Sequence, residues 1–327
     1  MGCIGVMLDR GKYEEDIVQR LAGHEIRWLK SESQEDRPEV IRGCDVILTG
    51  FLSEGELNEE EWEALRSVPA VQTISAGVDQ VPMRRLGPNT ELYANVGGWA
   101  EPIAEHVLAM ALCCSRKLIW QTRDLKDGVF GRMGYRLRTL RGKVALMVGY
   151  GGIGQACARV LAGIGMEIHG LGRRCPKDNL LSRGWSMNEL ARALEKADLV
   201  VLALPLSNET RGLFDAALLA HMKEDAILIN VARGAMINAQ DLYDRMKVCP
   251  QFMVGLDVWW KEPQDGGPFS VEVPLFELPN LVGSSHNSNQ TEYALANALA
   301  SALINCVRLL SSDPGVVGKV RKEEYSS

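Results

Sequence analysis

Short apolar runs alternate along the chain with stretches in which apolar residues recur every three or four positions. The runs suit strands and the spaced stretches carry the helical period, so the pattern predicts parallel α/β architecture. In the first third the predicted strands are 3–9, 25–29, 45–50, 71–76 and 91–95, with a helix near 59–66. The stretch EPIAEHVLAMALCCSRKL (101–118) reads as one long, largely apolar helix, with Pro102 tolerated in its first turn. A second run supplies strands at 143–148, 166–172, 197–205, 226–230, 252–258 and 280–285, and a last apolar helix from about 290 to 310. No repeat of solenoid period interrupts this order. The pattern predicts two doubly wound parallel-sheet domains.

Size agrees, because 327 residues suffice for about two domains with separate cores. The hydrophobic share of 46% and charged share of 24% are those of a soluble globular protein. A net charge of −6 offers no basic field to a phosphate backbone, which argues against nucleic-acid partners. The opening MGCIGVMLDR is not the basic-then-apolar pattern of a secretory signal, and Val6 stands where a myristoylation motif needs a hydroxyl. The longest apolar runs are too short to cross a bilayer. Eight cysteines show neither CxxC nor metal-ligand spacing, which fits free thiols in a reducing cytoplasm and no metal site.

The segment VALMVGYGGIG carries G-x-G-x-x-G at Gly149, Gly151 and Gly154. Glycine turns are common, but this one follows an apolar strand and opens a helical pattern, the context that dinucleotide binding demands. Gly149 permits the tight turn, Gly151 lets backbone approach a pyrophosphate, and Gly154 brings helix close to strand. With Gly152 and Ile153 between them, the loop would set the pyrophosphate on a helix N-terminus. The following strand, MEIHGLGRR, ends in Gly172, Arg173 and Arg174, where NAD sites place an acid for the ribose hydroxyls. A carboxylate repels a 2′-phosphate and guanidinium groups bind it, so NADP(H) is favoured over NAD(H). Two solvated surface arginines are the alternative reading.

Three more segments put polar chemistry at strand ends. VARGAMIN (231–238) places Arg233 after an apolar strand, GLDVWWKEP (255–263) carries Asp257 and Glu262, and GSSHNSNQ (283–290) carries His286. Singly, Arg233 and Glu262 also read as surface charges and His286 as a hydrogen-bonded buried histidine. All three at carboxyl ends of strands in one domain point to catalysis.

These segments, with ISAGVDQVP (74–82), NVGGWAEPIAEHVLAMAL (95–112), LPLSNETRGLFDAALLAHMKEDAILINVARG (204–234) and PLFELPN (274–280), resemble the D-isomer-specific 2-hydroxyacid dehydrogenase family over nearly the whole chain. The family includes glyoxylate/hydroxypyruvate reductases. The resemblance implies a Rossmann cofactor domain (98–288) inserted in a flavodoxin-like substrate domain (1–97 and 289–327), with Arg233, Glu262 and His286 as catalytic residues. It also implies that Asp257, Val231, Ala232, Arg233 and Ser288 approach the nicotinamide, with Pro205 beside the ring. Ala76 and Gly77 would offer backbone N–H groups to the substrate carboxylate. The expected partners are a small 2-keto or 2-hydroxy acid and a second copy of the chain, with helix 101–118 contributing to that surface.

The chain departs from the family pattern around the histidine. Ser285 replaces the usual proline, and Asn287, Ser288 and Asn289 replace the common apolar and small residues. Trp99, Trp259 and Trp260 read equally as pocket walls and as core. A formate dehydrogenase is disfavoured, since such relatives pair the histidine with glutamine where this chain has Glu262. The rival from another class is a non-catalytic nicotinamide-sensing regulator of corepressor type, against which stands the lack of long disordered tails.

Overall fold

Two parallel sheets hold all the strands of the described residues (2–11, 13–263 and 266–325) in the computed structural model. They belong to two compact units, one formed by residues up to 99 with those from 291 onward, the other by 100–290.

The first unit pairs β1 (Cys3–Met7), β2 (Glu25–Trp28), β3 (Val46–Thr49), β4 (Ala70–Thr73) and β5 (Glu91–Tyr93) in the order β2-β1-β3-β4-β5. This is the flavodoxin-like order. Helices cover both faces, so β1 is buried at every position and reads as a continuous apolar run. Ile4 and Val6 pack with α1 (Glu14–Arg20) and α10 (Ala294–Leu310), through Ala298, Leu299, Ala302, Leu303 and Cys306. Cys3 and Met7 face α2 (Arg37–Arg42) and α3 (Glu59–Leu65). Helix α3 starts where it does because the Asn58 side chain accepts from the Glu61 N–H and the Glu61 carboxylate accepts from the Asn58 N–H. Such a reciprocal cap contributes about 1 kcal/mol and frees the next turn to bury Trp62 and Leu65.

The second unit pairs β6 (Val144–Val148), β7 (Glu167–Gly172), β8 (Arg183–Ser186), β9 (Leu199–Leu202), β10 (Ile227–Asn230), β11 (Met253–Leu256) and β12 (Leu281–Gly283). Their order is β12-β11-β10-β9-β6-β7-β8, every pair parallel. The direction of winding reverses between β6 and β9, and that crevice is where doubly wound sheets bind ligands. β9, β10 and β11 are fully buried, which is why each is apolar without alternation. Each fully buried leucine or isoleucine there contributes about 1.5–3 kcal/mol. On one face α4 (Ala100–Arg116) packs against β10, β11 and α6 (Gly152–Gly163).

The single helix expected over 101–118 ends at Arg116, because Lys117 adopts a left-handed conformation (φ 54°). A second helix, α5 (Leu118–Lys126), begins there and buries none of its residues. The short helices α7 (Leu190–Lys196) and α8 (Ala216–Ala220), with α9 (Ala239–Val248), complete the unit. No helix among the described residues is long and apolar enough to cross a membrane.

Candidate active site

The glycine loop lies at the sheet's winding reversal. Gly149 follows β6 directly, and its φ of +102° is left-handed backbone that side chains rarely adopt. A Cβ there would stand 2.5 Å from the Ala203 carbonyl oxygen, beyond β9, so only glycine lets the two strand ends approach. A Cβ on Gly154 would stand 2.0 Å from the Gly149 carbonyl oxygen, which holds α6 tight against the loop. Gly151, by contrast, faces open space at the start of α6, where no side chain caps the helix. Open space over uncapped backbone N–H groups at the positive end of a helix fits a dinucleotide pyrophosphate. Ile153 and Gly152 belong to that first turn.

Gly172 closes β7, and Arg173 and Arg174 follow it on the surface. The nearest acid in that loop, Asp178, accepts from the Leu180 N–H at 2.8 Å. Pro205 is exposed in the loop after β9, where its carbonyl accepts from the Thr210 hydroxyl (2.7 Å).

Adjacent strands β10, β11 and β12 carry Arg233, Asp257 with Glu262, and His286 just past their carboxyl ends. The His286 Nδ1 lies 2.7 Å from the Glu262 Oε2. The other carboxylate oxygen, Oε1, accepts from the Trp259 N–H at 2.8 Å, so Glu262 is fixed at both ends. Burial pushes the Glu262 carboxyl up. The His286 hydrogen bond, the Trp259 N–H and the charges of His286 and Arg233 outweigh it and hold the group below the ordinary glutamate range. An ionised Glu262 accepts a proton-bearing Nδ1, which leaves the Nε2 of His286 for chemistry. His286 itself has φ 53°, a left-handed conformation of the kind found at functional sites.

Arg233 is half-buried on a turn shaped by Asn230, whose side chain accepts from the Ala232 N–H (3.0 Å) and donates to the Arg233 carbonyl (2.9 Å). The Ala232 carbonyl accepts from the Arg233 guanidinium at 2.7 Å. Val231 and Ala232 are buried. Gly234 is required by close approach, since a Cβ would stand 2.2 Å from the Trp259 carbonyl carbon. That contact presses the arginine turn onto the loop that carries Glu262. The sequence pattern singled out Arg233 but not Asn230, a fully buried polar residue closing an apolar strand.

Asp257 is fully buried beneath the histidine turn. Its carboxylate accepts from the Ser284 hydroxyl (2.6 Å) and from the N–H groups of Asn287 (3.1 Å) and Ser288 (3.2 Å). Burial raises its pKa, but the Ser284, Ser288 and Asn287 donors and nearby His106 outweigh it, leaving the group below the usual aspartate range. Ser288 is buried with it. Ala76 and Gly77 belong to the other unit, in the loop after β4, where the Gly77 carbonyl accepts from the Ser75 hydroxyl (3.0 Å).

Trp259, Trp260 and Trp99 are each held by an indole hydrogen bond, and Trp259 also lines a cavity with Glu262 and His286. Trp259 is buried, stacks on Phe276 (centroids 5.0–5.4 Å from Phe269 and Phe276) and donates from its indole to the Ser284 carbonyl. Trp260 donates to the Ile237 carbonyl, and Trp99 donates to the Ile74 carbonyl within the first unit.

Residues 108–288 match the family model described as D-isomer specific 2-hydroxyacid dehydrogenase, NAD binding domain. The chain is 28% identical to a glyoxylate/hydroxypyruvate reductase B of Klebsiella pneumoniae over 311 residues, covering 91% of this chain and 93% of that protein. It is 26% identical to a D-3-phosphoglycerate dehydrogenase of Methanocaldococcus jannaschii over 80% of its length, and spans only 49% of that longer relative. Its fold matches a crystal structure of a D-isomer specific 2-hydroxyacid dehydrogenase from Xanthobacter autotrophicus Py2 in complex with NADPH and MES. The TM-score is 0.78 at 22% identity, with 99% of each chain covered. With more than half of its length matched by the family model, and with the fold and strand-end residues described above, the chain belongs to the D-isomer specific 2-hydroxyacid dehydrogenase family.

Proposed function

We propose that the chain is a cytoplasmic reductase of small 2-keto acids, of glyoxylate/hydroxypyruvate type, forming D-2-hydroxy acids with NADPH. The observation that carries this reading is the His286–Glu262 pair at 2.7 Å, set beside Arg233 at the carboxyl end of one sheet. Similarity to the Klebsiella reductase over 91% of this chain and 93% of that protein supports the substrate class.

A 2-keto acid presents a carboxylate next to a carbonyl. Arg233 pairs with the first and polarises the second, which strengthens as negative charge grows on the oxygen. Bound reduced nicotinamide supplies the hydride. His286 gives the Nε2 proton to the oxygen, while Glu262 stabilises the imidazolium and fixes the ring. Oxidation runs the same transfer backwards and needs neutral His286. A steady-state screen of small 2-keto acids with NADPH and NADH tests the reading, and binding of NADPH without turnover of any 2-keto acid overturns it.

The role of Glu262 has its own test. Glu262→Gln removes the negative charge beside His286, so a smaller fraction of imidazole is protonated at any given pH. Reduction needs that proton, so the alkaline fall in reductive kcat/KM is expected at lower pH than in wild type, with NADPH affinity near wild type. An unchanged pH profile refutes the pairing.

We further propose a homodimer. The face expected to contribute, α4, buries Ile103, Ala104, Val107, Met110, Ala111 and Cys114 within its own unit. The apolar surface left exposed lies beyond it, in Leu118, Ile119 and Leu125 of α5 and in Phe130 and Met133, the last two 81% and 91% exposed. Apolar surface of this kind marks interfaces. Light scattering should report a dimer, and Phe130→Asp with Met133→Asp should yield monomer; a monomeric wild type at all concentrations contradicts the proposal.

A further inference from the structure

Ser284 lies between two groups that are far apart in sequence. Its hydroxyl donates to the Asp257 Oδ1 at 2.6 Å, and the Nε2 of His106, on α4, lies 2.9 Å from the serine Oγ. A serine hydroxyl has one proton, already given to an ionised carboxylate, so the His106 Nε2 must be the donor to the serine lone pair. The His106 Nε2 stands 3.8 Å from the Asp257 Oδ1 itself. Beyond Asp257 the series continues into the N–H groups of Asn287 and Ser288, the residues that follow His286. The rest of Ser284 is also engaged: its N–H donates to the Leu256 carbonyl and its carbonyl accepts from the Trp259 indole.

We propose that His106 is a positioning residue: through Ser284 and Asp257 it fixes the turn that holds His286 in its left-handed conformation. The inference rests on the reductase reading above. The unusual backbone of His286 persists only if its surroundings hold it. The Asp257 carboxylate ties down the backbone that follows His286, and the Ser284 hydroxyl makes the shortest of the hydrogen bonds that orient it. His106 sets the direction of that hydroxyl, because a donor on the lone-pair side leaves the serine proton only Asp257 to face. Without it the hydroxyl rotates, and the turn gains freedom just where His286 must aim its Nε2. A misplacement of about 1 Å from outside the chemistry costs up to about 10²-fold in rate. The glycine loop that would hold most of the cofactor is elsewhere on the sheet, so binding is spared.

The test compares His106→Leu, which removes the donor, with His106→Gln, whose amide N–H replaces the Nε2 donor. With NADPH and a 2-keto acid that wild type reduces, His106→Leu is expected to lower kcat on the order of 10-fold, with NADPH affinity near wild type. His106→Gln should restore most of that loss. In a double-mutant cycle, His106→Leu combined with Ser284→Ala should cost little more than Ser284→Ala alone, because both cut one series. Wild-type kcat in His106→Leu, equal losses in the leucine and glutamine variants, or additive losses overturn the assignment while leaving the reductase reading intact. A wild type that binds NADPH and reduces no 2-keto acid overturns both.

Discussion

Removing the imidazole of His286 is expected to lower turnover by roughly 10²- to 10⁴-fold, the range for loss of a general acid. The argument rests on the far nitrogen of a ring whose Nδ1 is held by Glu262 at 2.7 Å. Once hydride reaches the carbonyl carbon, the oxygen needs a proton from a group aimed at it, and Arg233 supplies charge but no proton at working pH. The backbone at His286 makes the choice of variant matter. A residue at φ 53° pays for left-handed geometry, and alanine pays more than asparagine, whose short polar side chain visits that region. His286→Asn therefore removes the proton donor with the smaller disturbance to the turn, and His286→Ala removes it with the larger. Both should lose turnover, and NADPH binding followed by fluorescence titration should remain close to wild type in His286→Asn. Turnover near wild type in the asparagine variant refutes the assignment.

Much of this could be read along the chain because a parallel sheet covered on both faces writes each strand as a short apolar run. β9, β10 and β11 were legible for that reason, with ends trimmed by one to a few residues. The edge strand β8 (RGWS) was not, since only Trp185 is buried in it and one apolar residue carries no period. The break between α4 and α5 was hidden because Lys117 is a helix former, so local propensity gives no sign of its left-handed turn. In the site, residues announced by strand ends were visible, because an isolated charge after an apolar run has few uses. Asn230, Ser284 and His106 were not. His106 falls within the apolar period of α4, and its partner Ser284 is 178 residues away, a distance that only folding closes.

The largest expected effect on cofactor choice comes from Arg173 and Arg174. They follow Gly172 at the end of β7, the position from which doubly wound domains reach the adenosine ribose. An acid there would accept the ribose hydroxyls and repel a 2′-phosphate. This chain has none at the strand end, and Asp178 further along is engaged with the backbone of its own turn. A phosphate monoester carries about −1.5 to −2 at neutral pH. A charge-assisted hydrogen bond to it contributes about 1.5–3 kcal/mol, and about 1.4 kcal/mol corresponds to tenfold in affinity. Replacing both arginines with alanine should therefore raise the KM for NADPH by roughly 10- to 100-fold and leave that for NADH nearly unchanged. Both side chains are at the surface, so the wild-type preference should weaken as salt is added, with the Debye length falling from about 10 Å at 0.1 M to about 3 Å at 1 M. Steady-state kinetics with both cofactors at several salt concentrations decide it: a wild type with higher kcat/KM for NADH, or a double variant that loses both cofactors equally, removes the arginines from the ribose site.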